Sequence, residues 1–294
     1  MNKALVEASS GSLGALFACL VLFPLDVAKT KHQASTDSTT KTKERSTMAL
    51  LRSIWTEEGA RGLFSGLGPK ATHTVLSNFF YFYWYAWLKA AYAKSRGPLT
   101  TSATLAIGAA AGAINMTITL PLEVLTTRIQ TTTSSSSSSA AELLGRMYRE
   151  QGVLSLWKGY VPSLVLVSNP AIFYTIFDRL KLQLGRQLSA VEAFVLAAIA
   201  KAIATILTYP IIRAKVLMQA SKTNNHDTAS LSMFQVLQRT WNEDGGVAGL
   251  FQGCSAQLVN TVVKSALLLM TKDQIAQLTV RLLYPFRSIP SATS

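Results

Sequence analysis

A proline-centred motif occurs three times along the chain and constrains its fold more than any other feature. The copies are FPLDVAKTKHQ around Pro24, LPLEVLTTRIQ around Pro121 and YPIIRAKVLMQ around Pro210. A second motif follows each of them, as EEGARGLFSG, EQGVLSLWKG and EDGGVAGLFQG. Two motifs that recur in the same order at intervals of roughly 90 to 100 residues predict three copies of one structural unit.

We place the repeats at residues 1–99, 100–187 and 188–294. Each contains an apolar segment with the proline inside it, a polar loop, a short amphipathic segment and a second apolar segment. Each apolar segment exceeds the ~20 residues that a helix needs to cross a bilayer. The prolines should kink their helices, because proline removes a backbone hydrogen bond. The six predicted spans are 4–33, 70–93, 101–131, 160–184, 190–220 and 255–283, and the expected loops are 37–45, 131–139 and 221–230.

Composition agrees with a membrane protein. Hydrophobic residues make up 49% of the chain and charged residues only 15%, against about 25% in soluble domains. The net charge of +13 favours contact with anionic lipid head groups and an anionic substrate, since no nucleic-acid-binding module is present. The cysteines and histidines lack the spacing of a disulfide framework or a metal site. We therefore expect no metal, no cofactor and no partner nucleic acid.

The two motifs together resemble the signature of the mitochondrial carrier family, Pro-x-acid-x-x-base-x-base with a later aromatic-x-Gly, over nearly the whole chain. The resemblance implies an all-α membrane protein. Six transmembrane helices in three pseudo-threefold repeats would surround a central cavity, with short amphipathic helices between paired spans. The substrate site would open alternately to either face, and the protein would be a transporter rather than an enzyme, functional as a monomer. The aromatic-x-Gly turns resemble anionic-lipid sites of the family.

Four further segments narrow the resemblance. Residues 77–89, 164–181, 198–220 and 261–273 are similar to the adenine-nucleotide branch of the family found in peroxisomes, especially its plant type. This resemblance implies a multi-pass protein of the peroxisomal membrane that exchanges cytosolic ATP for luminal AMP or ADP. Carriers of NAD, coenzyme A or FAD share the adenosine group, and the mitochondrial inner membrane is the alternative location. Both alternatives remain open on the sequence.

In the family, ion pairs close each end of the cavity. At the luminal or matrix end, the acidic residue two positions after each proline pairs with a basic residue of the next repeat. That basic residue lies five positions after the next repeat's proline. Among these positions only Glu123 and Lys215 retain both partners. We call this end the proline-end gate, and its predicted residues are Pro24, Asp26, Lys29, Pro121, Glu123, Arg128, Pro210 and Lys215. Arg128 and Lys31 stand outside the pairing positions and are expected to face lipid or a loop.

The other end of the cavity, on the cytosolic side, uses an aromatic-acid-x-x-base pattern on the even-numbered spans. The predicted residues of this opposite gate are Lys89, Asp178, Lys181 and Asp273. Only Asp273 and Lys89 form a complete pair between repeats. One pair at each gate would make both closed states shallow, because an ion pair removed from water is hard to open.

A nucleotide needs cations for its phosphates and an apolar or aromatic slot for adenine. Lys201 is the first candidate, because a charge inside an apolar span costs several kcal/mol unless it faces water or an anion. Its alternative role is a snorkelling or structurally paired lysine. Beside Pro170, polar side chains could bind base or ribose, or could only satisfy the kink. His73 aligns with a substrate-binding arginine of the family's ADP/ATP carriers, or is a helix-end residue. The full predicted site is Lys201, Ser168, Asn169, His73, Ser77, Asn78, Tyr81, Lys264 and Arg213, with Asn115 as a weaker candidate.

Overall fold

The computed structural model describes residues 13–35, 47–97, 99–132, 139–185, 189–221 and 232–267. Throughout these ranges the chain is helical, without strands. The central parts of the expected loops lie outside the described residues, as do Asp273 and the end of the sixth predicted span. The helices are α1 Leu13–Val21, α2 Phe23–Ala34, α3 Thr47–Leu63, α4 Leu67–Arg96, α5 Thr101–Thr131, α6 Ala140–Gln151, a 3-10 turn Val153–Trp157, α7 Tyr160–Leu166, α8 Asn169–Leu184, α9 Ala190–Ala220, α10 Met233–Glu243, α11 Val247–Leu250 and α12 at 254–267.

Membrane-crossing helices agree with most of the predicted spans. In the described part of the chain, three stretches have the required length and hydropathy: Ser102–Thr131, Val153–Leu184 and Val191–Ala220. The bent pair α1 and α2 makes a fourth if it is taken as one span. The predicted second span coincides with α4, which has 30 residues but lower hydropathy, because its aromatic run is rich in tyrosine and tryptophan.

Proline acts differently in the three odd-numbered spans. In the first span the helix breaks at Leu22, and α1 and α2 meet at 71° with Pro24 in the first turn of α2. Pro121 and Pro210 instead lie inside the continuous helices α5 and α9. The predicted kink is therefore a full break only in the first repeat.

Polar caps fix where the long helices begin. The hydroxyl of Thr100 accepts the Ala103 amide at the start of α5, at 3.2 Å. Ser189 and Glu192 form a reciprocal capping box at the start of α9. Such caps satisfy backbone donors that the first helical turn leaves free. The short helix α10 also begins with a capping box and has one strongly apolar side, as predicted for the amphipathic segments.

In the first and third repeats, the residue before the proline packs against the aromatic residue of the second motif. This contact explains why the two motifs recur together, because it fastens the amphipathic segment beneath the proline helix. The two ring pairs are Phe23 with Phe64 (ring centroids 6.2 Å apart) and Tyr209 with Phe251 (5.8 Å). In the second repeat, Trp157 packs against the buried cluster that includes Leu120.

Between repeats, the glycine that ends the second motif packs against the next odd-numbered helix. Gly66, Gly159 and Gly253 have φ of +81°, +82° and +81°, a conformation that favours glycine. The third glycine contacts the first repeat, so the three contacts close a ring, and we name them the first–second, second–third and third–first seams. A Cβ on Gly66 would lie 3.3 Å from Ile129, one on Gly159 3.2 Å from Gln219, and one on Gly253 3.1 Å from Gln33.

Candidate transport cavity and gates

One ion pair joins two repeats at the proline-end gate. Lys215 on α9 lies 2.6 Å from the carboxylate of Glu123 on α5, and their side chains are 13% and 19% exposed. The predicted Glu123–Lys215 contact is thus confirmed. It follows the pairing pattern of the motif, from the acid of the second repeat to the base of the third.

Asp26 has different partners from those of the pairing pattern. Lys29, one turn along the same helix, donates to its carboxylate at 3.0 Å, and Asn260 on α12 donates to the same oxygen at 2.7 Å. Thr126, which occupies the next repeat's base position, bonds instead to Leu122 of its own helix. The first–second seam therefore has no acid–base pair at these positions, and Asp26 instead ties α2 to α12.

Arg128 is a buried anchor, and Lys31 is a half-buried one. Arg128 is 3% exposed, and it donates to the backbone carbonyl of Gln219 at 3.1 Å and to the side chain of Gln151 at 2.7 Å. Lys31 forms an ion pair with Glu58. The expectation that both bases face lipid or a loop is wrong, because Lys31 is held by Glu58 and Arg128 by Gln151. Each of these partners directly precedes the first glycine of the second motif.

Arg213 is also an anchor, and in this structure its side chain contacts protein groups rather than an open cavity. Its side chain is 1% exposed in the third–first seam, where Nε and one of its two terminal nitrogens are hydrogen-bonded to protein. It donates to Asp244 (2.8 Å), Gln252 (2.7 Å), the Ser35 carbonyl (3.1 Å) and the Gln33 carbonyl (3.5 Å).

The sequence does contain a signal for this role. Lys31 and Arg128 each lie seven residues after their proline, and Leu217 occupies that position in the third repeat. Asp244 occupies the acidic position of the second motif in the third repeat, and with Leu217 in place of a base it needs a different cation. Arg213, one turn before Leu217, supplies it.

At the opposite gate, the described charges do not close the cavity. Lys89, Asp178 and Lys181 are exposed, and none of the three has an ion pair with another described residue. The predicted partner of Lys89, Asp273, lies outside the described residues. Among the described side chains, cross-repeat ion pairing therefore closes the proline end alone.

Lys201 joins the fourth and fifth predicted spans through a short polar chain. Its ammonium donates to the Asn169 side chain at 2.6 Å, and Asn169 donates to the Thr208 hydroxyl at 2.8 Å. The same ammonium lies 5.8 Å from the centre of the Phe173 ring. This cation beside an aromatic face and an amide offers the contacts that a phosphorylated aromatic solute needs.

Ser168 serves the helix break between α7 and α8. Its exposed hydroxyl donates to the Val165 carbonyl at 2.7 Å, and Pro170 follows in the first turn of α8. The same carbonyl accepts the Ser168 backbone amide at 3.1 Å, so both bonds close the turn at the break. In this structure Ser168 thus hydrogen-bonds to the end of α7, whereas its neighbour Asn169 hydrogen-bonds to Lys201.

The predicted residues on α4 form a column, but most contact protein. Ser77 accepts from Asn115 on α5 at 2.9 Å, and Asn78 bonds to the Thr74 carbonyl of its own helix. The rings of Tyr81 and Tyr85 stack at 6.1 Å. His73 lies close enough to interact electrostatically with Glu123 and Lys215, beside the closed gate.

Lys264, on α12, is half-buried and close enough to interact electrostatically with Asp26.

Comparisons with known proteins agree with this architecture. Residues 2–96, 97–188 and 186–282 each match the family of mitochondrial carrier proteins. Peroxisomal adenine nucleotide carrier 1 of Glycine max is 37% identical over 94% of this chain and 92% of its own length. The Arabidopsis thaliana protein of the same name is 34% identical over 96% and 92%. Peroxisomal adenine nucleotide transporter 1 of Saccharomyces cerevisiae is 30% identical over 97% and 95%.

These relatives match the chain almost end to end, and all three are named as peroxisomal. With the apolar helices, they support a multi-pass location in the peroxisomal membrane. The all-α fold, the three repeats and the seams that join them are those expected of a carrier. The chain belongs to the mitochondrial carrier family, and its closed ring of three repeats is the scaffold of a membrane transporter.

Proposed function

We propose that this chain exchanges adenine nucleotides across the peroxisomal membrane, importing ATP against AMP or ADP by alternating access. The observation that carries the proposal is the pairing of Lys201 with Asn169 inside apolar spans, beside an aromatic ring and above a closed gate. The names of the relatives, adenine nucleotide carriers and transporters, support the choice of substrate.

An anionic substrate follows from the position of the cations. Lys201 lies within a candidate membrane span and Lys264 within the predicted sixth span, and both are half-buried. A lysine is costly there unless water or an anion meets it. Lys201 has only neutral hydrogen-bond partners among the described residues. Phosphate groups would supply the missing negative charge, and the Phe173 and Tyr81 rings offer flat surfaces for adenine.

The gate chemistry fits a carrier that alternates readily. The second–third seam is held by one partly exposed ion pair, whose groups can rehydrate when the pair opens. A substrate that binds more tightly to the intermediate state than to the closed state would open it. In this proposal the chain works as a monomer, without enzymatic activity, and binds anionic lipid at its aromatic-x-Gly turns.

Transport by purified protein in liposomes tests the proposal. Vesicles preloaded with AMP are expected to take up labelled ATP much faster than empty vesicles do. Equal uptake into empty vesicles would refute obligatory exchange. Equal or faster uptake of NAD or coenzyme A would refute the adenine-nucleotide assignment.

A double variant separates a transporter from a passive membrane scaffold. Lys201→Leu combined with Asn169→Leu removes the half-buried polar pair, so a scaffold should be unharmed or stabilised in a bilayer. A transporter should lose ATP uptake by tenfold or more, about the effect of one lost charge-assisted hydrogen bond. The matched control is Lys94→Leu, which removes an exposed lysine at the end of α4. Unchanged uptake in the double variant would remove Lys201 from the substrate site.

A further inference from the structure

The hydroxyl of Thr208 lies at the far end of the polar chain that begins at Lys201. The Lys201 ammonium donates to the side-chain oxygen of Asn169 at 2.6 Å, and the Asn169 amide nitrogen donates to the Thr208 hydroxyl at 2.8 Å. Thr208 donates in turn to the backbone carbonyl of Ala204 at 2.8 Å. Thr208 is 5% exposed, so water does not readily replace these bonds.

The chemistry of the three side chains fixes the direction of every bond in this chain. An ammonium group can only donate, so Asn169 must turn its oxygen toward Lys201. The amide nitrogen then points the other way and needs an acceptor, which the Thr208 hydroxyl supplies. The hydrogen of that hydroxyl is left for the Ala204 carbonyl. Each group in the chain therefore has one orientation that satisfies its neighbours.

Asn169 bridges two turns of one helix. Lys201 and Thr208 are seven residues apart on α9, so they lie on the same face of that helix. Asn169 comes from the first turn of α8 and is bonded to α9 at both ends of its amide. An amide bonded at one end only can rotate about its side-chain bonds, and the ammonium then moves with it. Thr208 thus holds the acceptor of Lys201 in one place.

A fixed acceptor also fixes the Lys201 ammonium. A lysine side chain has about 2 kcal/mol of rotamer entropy to lose, and the bond to Asn169 removes part of that freedom before a ligand arrives. The ammonium has three hydrogens, and among the described residues only Asn169 accepts one. The other two are available to an anion. A group that is positioned in advance binds its ligand more tightly, because less freedom is lost on binding.

We propose that Thr208 is a positioning residue for the transported nucleotide: through Asn169, it holds the Lys201 ammonium where the phosphate groups bind. The proposal rests on the proposed function. Thr208 acts without touching the nucleotide, since its oxygen accepts from Asn169 and its hydrogen goes to Ala204. No position of the repeated motifs predicts this role.

The second repeat contains a matched control residue. Thr119 lies two residues before the proline of α5, as Thr208 does before the proline of α9, and it is 2% exposed. Its hydroxyl donates to the Asn115 carbonyl at 2.9 Å, which is the same bond to the preceding turn. Among the described residues, no side chain of another helix donates to it. Thr119→Val therefore loses the same bond within its helix as Thr208→Val does, but no bond to an asparagine side chain.

Binding of ATP to the purified protein gives the first test. ATP should raise the unfolding temperature, and the concentration that gives half of the maximal shift measures affinity without transport. Thr208→Val is expected to need about tenfold more ATP than wild type, the effect of one lost hydrogen bond. Thr208→Ser keeps the hydroxyl and should stay within about twofold of wild type. Thr119→Val should leave the value unchanged. Equal losses in the two valine variants, or no loss in Thr208→Val, would overturn the proposal.

A double-mutant cycle tests whether Thr208 acts through Asn169. Asn169→Leu removes the amide, so adding Thr208→Val to it should not weaken ATP binding further. A second tenfold loss in the combined variant would show that Thr208 acts by another route, and the positioning role would be wrong.

Transport in liposomes loaded with AMP separates this proposal from the transport assignment. Thr208→Val should raise the KM for ATP by about tenfold with little change in the maximal rate, because the substitution alters binding and not the gate. Wild-type protein that binds ATP but does not exchange it would refute the proposed exchange, and the binding comparison would still support the positioning role. Normal exchange by wild type with an unchanged KM in Thr208→Val would refute the positioning role and leave the exchange assignment intact.

Discussion

The second–third seam and the third–first seam are built from the same motifs but closed by different chemistry. At the second–third seam, Glu123 and Lys215 meet as a partly exposed ion pair. At the third–first seam, the fully buried Arg213 donates to two backbone carbonyls of the first repeat and to two side chains of the third repeat, Asp244 and Gln252. The Gln252 side chain adds a bond to Ser35 at 2.8 Å.

This difference indicates which seam should open at the lower free-energy cost. Removing one partner of a buried charge network leaves uncompensated polar groups and costs several kcal/mol. A partly exposed pair costs less to separate than a fully buried network, since water can reach each partner. We therefore expect the second–third seam to be the mobile side of the gate and the third–first seam to hold the ring together.

The largest expected effect is on stability, at Arg213. Arg213→Leu leaves Asp244 and two backbone carbonyls without their donor, so the free energy of unfolding should fall by about 3–5 kcal/mol. Thermal unfolding of the purified protein measures this loss. Arg239→Leu is the control, because its ion pair with Glu243 has side chains 54% and 58% exposed, and it should change stability by about 1 kcal/mol at most. Similar unfolding temperatures for the two variants would remove the distinction between the seams.

A smaller loss of stability is expected at the ring contact of the same seam. Gly253→Ala forces an alanine into φ +81° and places its Cβ 3.1 Å from Gln33 and from the Tyr209 hydroxyl. The expected cost is about 1–3 kcal/mol, again measured by thermal unfolding. Gly145→Ala, in the middle of α6 with open space around it, should instead be neutral or stabilise by up to about 1 kcal/mol. A fully stable Gly253→Ala protein would contradict the close approach of the repeats.

The smallest effect on stability is expected at the mobile seam. Glu123→Gln should lower the free energy of unfolding by less than Arg213→Leu does, yet slow ATP exchange, because the proline end no longer closes fully. Exchange of the charges, Glu123→Lys with Lys215→Glu, should restore part of the rate. Failure of the double variant to exceed either single variant in a liposome assay would show that the pair has no gating role.

The sequence predicted contacts in which both residues occupy positions of the repeated motif. Glu123 and Lys215 occupy equivalent motif positions, so their pairing follows from the repeat itself. Lys201 was identifiable because a lysine in an apolar span needs a partner. The sequence alone did not name that partner as Asn169, because the contact crosses from α8 to α9.

Contacts that depend on packing between distant segments were not predictable in the same way. Asn260 meets Asp26 across 234 residues of sequence, and no motif marks it. Arg213 was predicted as a substrate contact because it is a cation beside a proline. Its true position depends on Leu217 and Asp244 together, and this combination becomes clear only when the helix and the following turn are seen in contact.

The most direct test of the alternating gate is a reversible cross-link across the second–third seam. Glu123→Cys and Lys215→Cys are introduced together into a chain whose native Cys19 and Cys254 are serine, and the protein is reconstituted with internal AMP. Oxidation should abolish the ATP uptake that the reduced double-cysteine protein shows, and reduction should restore it, while the activity of each single-cysteine variant should be the same under both conditions. If the cross-linked protein takes up ATP as fast as the reduced one, the two helices do not separate during transport, and the account of the gate is wrong.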